Sequence, residues 1–242
     1  MTRRPRMIGL RQLPAATMLL GSLWLAGCAT QTNLPGGSDN EASDAYTRLG
    51  VAYLERDNLP RAMNALDRAL EIDPRDAEAL QAMAMVHQRQ GEAGLADETF
   101  RRALEADPSF TRARNNYAAF LYDRGRLDEA CKQLEQASRD TQYDNRAQLF
   151  ANLGQCRLEM GDVAAARESL ARAQAIAPRR PRSYLLTAEL EYAQGNLERA
   201  EQQLETYMRL AGPRAEALRL ARDIARDRGD PATASFYADQ LE

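Results

Sequence analysis

Residues 77–110 read AEALQAMAMVHQRQGEAGLADETFRRALEADPSF, and residues 43–76 before them carry the same pattern of small, apolar and proline positions. The two stretches match at an offset of 34 residues, as three pairs of identical residues show: Ala62 and Ala96, Ala69 and Ala103, Pro74 and Pro108. A period of this length is typical of stacked supersecondary units, because one unit alone cannot bury its apolar face. The sequence therefore predicts a linear array of similar units.

The residue types within one unit predict two helices joined by a turn. Small residues at the eighth and twentieth positions, such as Ala84 and Ala96, let the two helices approach closely. A proline at position thirty-two, such as Pro108, ends the second helix. A glycine near position fifteen ends the first helix, since glycine adopts a positive φ at little cost; it recurs as Gly91, Gly125, Gly161, Gly195 and Gly229.

This pattern resembles the tetratricopeptide repeat (TPR). The resemblance implies an all-α fold, a right-handed superhelix of about six helix-turn-helix repeats with a groove lined mostly by the first helices. We place the TPR domain at residues 43–242, with repeats at about 43–76, 77–110, 111–146, 147–180, 181–214 and 215–242. The sixth repeat is degenerate, and the third lacks its closing proline. A generic helical bundle is the alternative, but heptads do not produce a 34-residue recurrence of glycine and proline.

The N-terminus has the form of an export signal. Four arginines precede an apolar run from Leu13 to Ala26 that is shorter than the roughly 20 residues of a membrane-spanning helix. The sequence Leu25-Ala26-Gly27-Cys28 resembles the lipobox of bacterial lipoproteins, which implies removal of residues 1–27 and acylation of Cys28. An ordinary secretory peptide with a chance cysteine is the alternative. Residues 28–42 are polar and rich in turn formers, and we expect a flexible tether.

The residue after Cys28 and the charge balance of the chain indicate a location and a class of partner. The residue after the lipid-bearing cysteine is Ala29, not the aspartate of the commonest inner-membrane retention rule, which favours the periplasmic face of the outer membrane. The full chain carries 32 basic and 35 acidic residues, and loss of the four arginines in the export segment makes the mature chain more acidic. We therefore expect a protein partner and a lipid anchor, and no nucleic acid.

No constellation of residues predicts an enzyme, a metal site or a cofactor. The chain has one histidine, His87, at the eleventh position of the second repeat, where packing or the groove edge explains it better than catalysis. No zinc-ligand spacing, phosphate loop or nucleophile elbow is present in the sequence. The predicted function is therefore binding.

Two cysteines remain once Cys28 is assigned to the lipid. Cys131 falls in the second helix of the third repeat and Cys156 in the first helix of the fourth, and these helices are neighbours in a TPR stack. In an oxidising compartment we expect a disulfide between them. Two buried free thiols are the alternative.

A longer stretch carries a more specific resemblance. Residues 114–122 read RNNYAAFLY, and with Gly125-Arg126 and Glu129-Ala130 they resemble the Asn-Asn-Tyr-Gly-x-Phe-Leu region of the PilF/PilW family of type IV pilus biogenesis lipoproteins. Residues 137–154 are similar to the same family, whereas Ala118 replaces its usual glycine and the extreme C-terminus matches poorly. The resemblance implies a pilotin, which takes the pilus secretin to the outer membrane and promotes its multimerisation.

We predict seven partner-binding residues, chosen mainly because their residue types dominate the cores of protein interfaces. On the groove side of the predicted first helices these are Asn115, Asn116, Arg112, Tyr122, Arg89, Met85 and Tyr192. For Asn115 and Asn116 a capping or bridging role within the stack is the alternative. A competing function for the whole protein is an adaptor for outer-membrane protein assembly or for peptidoglycan enzymes.

Overall fold

The computed structural model describes residues 37–241, with side chains from Asp39 onward. The predicted signal peptide (1–27), the acylation site Cys28 and the first part of the tether (28–36) lie outside the described residues. The described part contains twelve helices and no strand: α1 (Gly37–Glu55), α2 (Leu59–Ile72), α3 (Ala77–Gln90), α4 (Ala93–Ala106), α5 (Thr111–Asp123), α6 (Leu127–Ala137), α7 (Arg146–Glu159), α8 (Val163–Ile176), α9 (Arg182–Ala193), α10 (Leu197–Ala211), α11 (Ala215–Asp227) and α12 (Pro231–Asp239).

The helices pack in sequence order as six hairpins. Each helix from α2 onward contacts the next, and successive odd-numbered helices from α3 onward also contact one another. We call the odd-numbered helices the first helices, because each opens a repeat. The predicted all-α architecture, a right-handed superhelix of about six TPRs, is confirmed.

The first helix begins earlier than the sequence indicated. α1 starts at Gly37, so residues 37–42, which we expected in the tether, are helical. Asp39 lies in the first turn, where a carboxylate stabilises the helix dipole. The hydroxyl of buried Ser43 donates to the main-chain oxygen of Ala69 at 3.1 Å, which holds the start of the domain against α2.

Small residues at the eighth position permit close helix packing, as the repeat pattern predicts. A Cβ atom added to Gly50 would lie 2.5 Å from Cγ of Leu66, and one added to Gly154 would lie 2.7 Å from Cγ of Leu170. Ala118, which departs from the usual family residue, is completely buried at the equivalent position. The replacement of glycine by Ala118 therefore affects the packing of helices inside the third repeat.

The turn inside each repeat needs a residue with positive φ. Five glycines supply it, with φ between 70° and 82°: Gly91, Gly125, Gly161, Gly195 and Gly229. In the first repeat Asp57 takes this place with φ 56°, and it is the one non-glycine residue with positive φ in the described part of the chain. The first repeat therefore makes its turn with a residue that pays a steric cost.

The junction between the third and fourth repeats is the irregular point of the stack. Eight residues, 138–145, separate α6 from α7, whereas four residues, 73–76, separate α2 from α3. The hydroxyl of Thr111 donates to a carboxylate oxygen of Asp140 at 2.6 Å and ties this loop to α5. A disulfide joins Cys131 of α6 to Cys156 of α7, with their Cα atoms 5.7 Å apart.

The largest core cluster lies in the middle repeats. The rings of Phe100 and Tyr117 are stacked with centroids 5.3 Å apart, and Phe120 lies 5.8 Å from Phe100. At the C-terminal end, α12 buries no residue, and Phe236 is 61% exposed. Within residues 37–241 we find no helix whose length and apolar character would suit a membrane crossing.

Candidate binding groove

The seven predicted partner-binding residues all lie on first helices. Their repeat positions, 2, 5, 6, 9, 12 and 13, are the positions from which side chains reach a neighbouring first helix. In the structure all seven do so, over sequence separations of 31 to 37 residues. The sequence pattern therefore selects one common face of the stack, and the structure divides its residues into those that hold the stack together and those that a partner can reach.

Arg89 belongs mainly to the stack. Its guanidinium donates to the main-chain oxygen of Leu54 at 2.7 Å and to the carboxylate of Asp57 at 3.1 Å. Leu54 lies in the last turn of α1, where a positive charge interacts favourably with unpaired carbonyl groups. The side chain thus links α3 to the end of α1.

Arg112 and Met85 connect α5 with α3. The guanidinium of Arg112 donates to Glu78 at 2.5 Å, and both side chains are 48% exposed. The sulfur of Met85 accepts from Nε2 of Gln81 at 2.7 Å and from Nδ2 of Asn116 at 3.6 Å. These groups remain partly open to the groove, so a partner could displace or share their contacts.

The two neighbouring asparagines have different environments. Asn115 is 8% exposed, and its Oδ1 accepts from Nδ2 of Asn152 on α7 at 3.2 Å. Asn116 is half-buried, and its one side-chain contact is the long interaction with Met85. Asn115 therefore bridges first helices within the stack, whereas Asn116 keeps an amide that a ligand can use.

Tyr122 begins a polar chain toward the C-terminal half of the groove. Its hydroxyl donates to Glu159 at 3.1 Å and accepts from Nε2 of Gln155 at 2.9 Å. Burial and the bond to Glu159 raise the pKa of Tyr122. Arg182 on α9 continues the chain by donating to Oε1 of Gln155 at 2.6 Å. Three first helices are connected in this way.

Tyr192 makes the corresponding link at the far end. Its hydroxyl on α9 donates to Asp227 on α11 at 2.7 Å, and this bond is the main reason that the pKa of Tyr192 is raised. Both side chains are partly exposed. The ring therefore offers one face to a partner while its hydroxyl is occupied.

Two adjoining pockets lie along the first helices and share Gln155 and Arg182. The first, of about 310 Å³, lies between α5 and α7 and is lined by residues that include Tyr122 and Asn152. The second, of about 490 Å³, extends over α9 to the start of α11; we call it the C-terminal pocket. Its lining residues are Gln155, Pro181, Arg182, Leu185, Leu186, Glu189, Tyr207, Ala211, Arg214 and Glu216.

Of the residues that line these two pockets, only Tyr122 was among the seven predicted from the sequence. The 34-residue period could have found several of them: Arg182 and Glu216 hold the second repeat position, as Arg112 does, and Gln155 and Glu189 hold the ninth, as Met85 does. Tyr207 lies on a second helix, α10, and no positional rule for first helices identifies it.

His87 and the acidic residues do not converge on a catalytic or metal site in the part of the chain that is described. His87 is half-buried on α3, and its Nδ1 has no hydrogen-bond partner among residues 39–241. No group of three or more His, Cys, Asp or Glu side chains in this range has the geometry of a metal site. The groove is therefore the candidate functional feature.

Comparison with known proteins agrees with the fold. Tetratricopeptide repeat models match residues 43–76, 88–153 and 157–224. The type IV pilus assembly protein PilF of Pseudomonas aeruginosa is 38% identical over 232 residues, which cover 94% of this chain and 92% of the relative.

Solved structures give the same result. A structure of Pseudomonas aeruginosa PilF matches with a TM-score of 0.78 at 38% identity, over 84% of this chain and 92% of that chain. PilW, described as a widely conserved type IV pilus biogenesis factor, matches with a TM-score of 0.77 at 27% identity, over 84% and 93%. The chain belongs to the PilF/PilW family and is a TPR protein of type IV pilus biogenesis.

Proposed function

We propose that the protein is a pilotin: an outer-membrane lipoprotein, anchored on the periplasmic face through acylated Cys28, that binds the pilus secretin and promotes its multimerisation. The observation that carries the proposal is a continuous groove of polar and aromatic side chains along the first helices in a member of a pilus biogenesis family. TPR proteins use such surfaces to bind peptide segments or whole proteins.

The anchor follows from the lipobox-like sequence Leu25-Ala26-Gly27-Cys28. Acyl chains on Cys28 would supply the hydrophobic area needed for stable membrane attachment. Because α1 begins at Gly37, only residues 29–36 separate the acylated cysteine from the helical stack. At roughly 3.3–3.6 Å per residue, the covalent length keeps the start of α1 within about 30 Å of the anchor. A partner would therefore be held close to the membrane.

Deletion of the gene tests the pilotin role. We expect loss of surface pili and accumulation of monomeric secretin in the inner membrane, with both defects reversed by the wild-type chain. The secretin is followed by membrane fractionation and by gel electrophoresis under mild denaturation. Normal secretin multimers in the deletion strain would overturn the proposal. If they were accompanied by defects in outer-membrane proteins or in peptidoglycan, the adaptor role would be favoured.

Replacing the lipid-bearing residue separates binding from localisation. In a Cys28→Ala variant the repeats are retained and the acylation site is lost. We expect the secretin to co-purify with this variant. We also expect the variant itself to be absent from outer-membrane fractions, because it carries no lipid anchor. A matched Ser38→Ala variant, which leaves Cys28 in place, should localise as the wild type does. Failure of the secretin to co-purify with either chain would contradict recognition by the helical stack.

A further inference from the structure

The C-terminal pocket gathers four charged side chains that do not pair with one another. Arg182 is bound to the neutral amide of Gln155, and Glu216 accepts from the hydroxyl of Tyr207 at 2.5 Å. Glu189 and Arg214 make no side-chain hydrogen bond or ion pair with any residue in the described range, although both line the pocket. The pocket therefore holds acidic and basic side chains together, and each of them has either an uncharged hydrogen-bond partner or no partner.

Glu189 is the acidic side chain of this pocket that has no hydrogen-bond or ion-pair partner among the described residues. Its side chain is exposed through the open side of the groove, and the walls of the pocket shield part of the carboxylate from water. Burial raises its pKa, the nearby carboxylate of Glu216 raises it further, and Arg182 only partly opposes these effects. The local environment therefore disfavours the negative charge, and an added cation would relieve this cost.

The surroundings of Glu189 also suit a long aliphatic stem. Leu185 and Leu186, one turn before it on α9, and Ala211 at the end of α10 supply the apolar part of the lining. Lysine and arginine side chains place a run of methylene groups behind a cationic end, and they favour sites with an apolar wall and an acidic terminus. An anionic group placed beside Glu189 and its neighbour Glu216 would be repelled by both carboxylates.

We propose that the C-terminal pocket binds a partner segment through a lysine or arginine side chain, whose cationic end pairs with Glu189 and whose stem lies against Leu185 and Leu186. This inference rests on the proposed function only in taking the groove as the binding face. The proposal gives the C-terminal pocket a preference for a cationic side chain. The hydrogen bond between Tyr207 and Glu216 holds one wall of this pocket in place, and the hydrogen bond between Arg182 and Gln155 holds the other.

The preference can be measured with synthetic peptides and the full chain in detergent. The probes are Ac-Ala-Leu-Lys-Leu-Ala-NH2 and two versions in which the lysine is replaced by glutamine or by glutamate, each labelled for fluorescence anisotropy. We expect the lysine peptide to bind about tenfold or more tightly than the glutamine peptide, the effect of one charge-assisted hydrogen bond. Tighter binding of the glutamate peptide, equal affinities or no binding of the lysine peptide would each overturn the proposal.

Two isosteric variants locate the effect. Glu189→Gln should reduce the discrimination between the lysine and glutamine peptides to less than about twofold, because the charge partner is gone. Glu98→Gln, at an exposed position on α4 outside both pockets, is the matched control and should discriminate as the wild type does. Unchanged discrimination in Glu189→Gln would refute the site. Circular dichroism should show both variants fully folded.

The peptide titration and the secretin experiments can fail separately. Lysine-selective binding that depends on Glu189, in a protein whose deletion leaves secretin multimers intact, would keep the pocket and reject the pilotin role. Loss of secretin multimers on deletion, with no peptide preference, would keep the pilotin role and reject the pocket assignment.

Discussion

The sulfur atoms of Cys131 and Cys156 join α6 to α7 at the one junction where the 34-residue period is interrupted. The eight residues between these helices lack the proline that closes other repeats. Elsewhere a short connection is enough to orient one repeat on the next. Here a disulfide joins the helices on either side of a longer loop without proline, so redox conditions should affect the stability of this junction.

Removal of the disulfide should destabilise the fold. For the double variant Cys131→Ala, Cys156→Ala we expect the free energy of unfolding to fall by about 2–4 kcal/mol, because the unfolded chain gains the entropy of an opened loop of 25 residues. Urea denaturation of the oxidised chains measures this. Dithiothreitol should lower the wild-type midpoint and leave that of the double variant unchanged. A wild-type midpoint insensitive to the reductant would contradict the prediction.

Adding one methyl group at a close helix contact should also destabilise the protein. In Gly154→Ala the new Cβ would lie 2.7 Å from Cγ of Leu170 and 3.3 Å from the main-chain oxygen of Ala166. We expect a loss of about 1–3 kcal/mol from overpacking, which exceeds the gain in helix propensity. Denaturant titration is the measurement.

Gly94→Ala is the matched control for this methyl group. Gly94 lies in α4, and an added Cβ has no neighbour within 4 Å. Propensity alone should act there, so we expect unchanged or slightly higher stability, by up to about 1 kcal/mol. Equal effects of the two substitutions would show that the packing at Leu170 does not limit the fold.

The turn of the first repeat can be improved. Asp57 adopts φ 56°, where the other repeats use glycine. Its ion pair with Arg89 is largely exposed, and such pairs contribute less than about 1 kcal/mol. Asp57→Gly should therefore leave the thermal midpoint unchanged or raise it slightly. Asp57→Ala loses the same ion pair but keeps a Cβ at positive φ, and it should lower the midpoint. The reverse order would be inconsistent with backbone strain at this turn.

The adjacent asparagines should respond differently to truncation. Asn115→Ala leaves Nδ2 of half-buried Asn152 without its acceptor, so we expect a loss of about 0.5–1.5 kcal/mol in unfolding free energy, the contribution of one hydrogen bond. Asn116→Ala should have little effect on stability, since it loses only a long contact with the sulfur of Met85. In secretin pull-downs, Asn116→Ala tests whether the amide of Asn116 contacts the partner, because this variant should remain stably folded. A larger destabilisation by Asn116→Ala would reverse the assignment.

Glu189→Gln should make the protein more stable at neutral pH. The folded state raises the pKa of Glu189 above the ordinary value of 4.5, so the native chain holds this proton more tightly than the unfolded chain. As the pH rises through 4.5 toward the raised pKa, the wild type loses stability that the glutamine variant keeps. Thermal unfolding at pH 7 should show a higher midpoint for the variant. The difference should shrink below pH 4.5, where the carboxyl is protonated in both states.

A variant that stabilises the fold while it weakens binding of the lysine peptide would show that Glu189 serves recognition at a cost to stability. Glu98→Gln again provides the comparison, because its exposed carboxylate should give nearly the same midpoint as the wild type at each pH. A lower midpoint for Glu189→Gln at pH 7 would mean that the carboxylate has a structural partner.

The amino-acid sequence determined the repeat, the helix pairs and the junction between Cys131 and Cys156. These features depend on local rules that recur with the period: small residues where helices touch, glycine where a helix ends, and proline where it cannot continue. It also placed the predicted binding residues on one common face of the first helices, since the positions of a helix that point toward its neighbour repeat in the same way.

Only the tertiary structure decided which residues on that face are available. Asn115 and Asn116 are identical in type and adjacent in sequence, yet one is enclosed by α7 and the other faces Met85. The surroundings of Glu189 likewise depend on residues from other repeats, such as Gln155 and Glu216. The physical reason is that hydrogen-bond partners and hydration are set by the relative placement of helices, and no periodic pattern within one repeat specifies that placement.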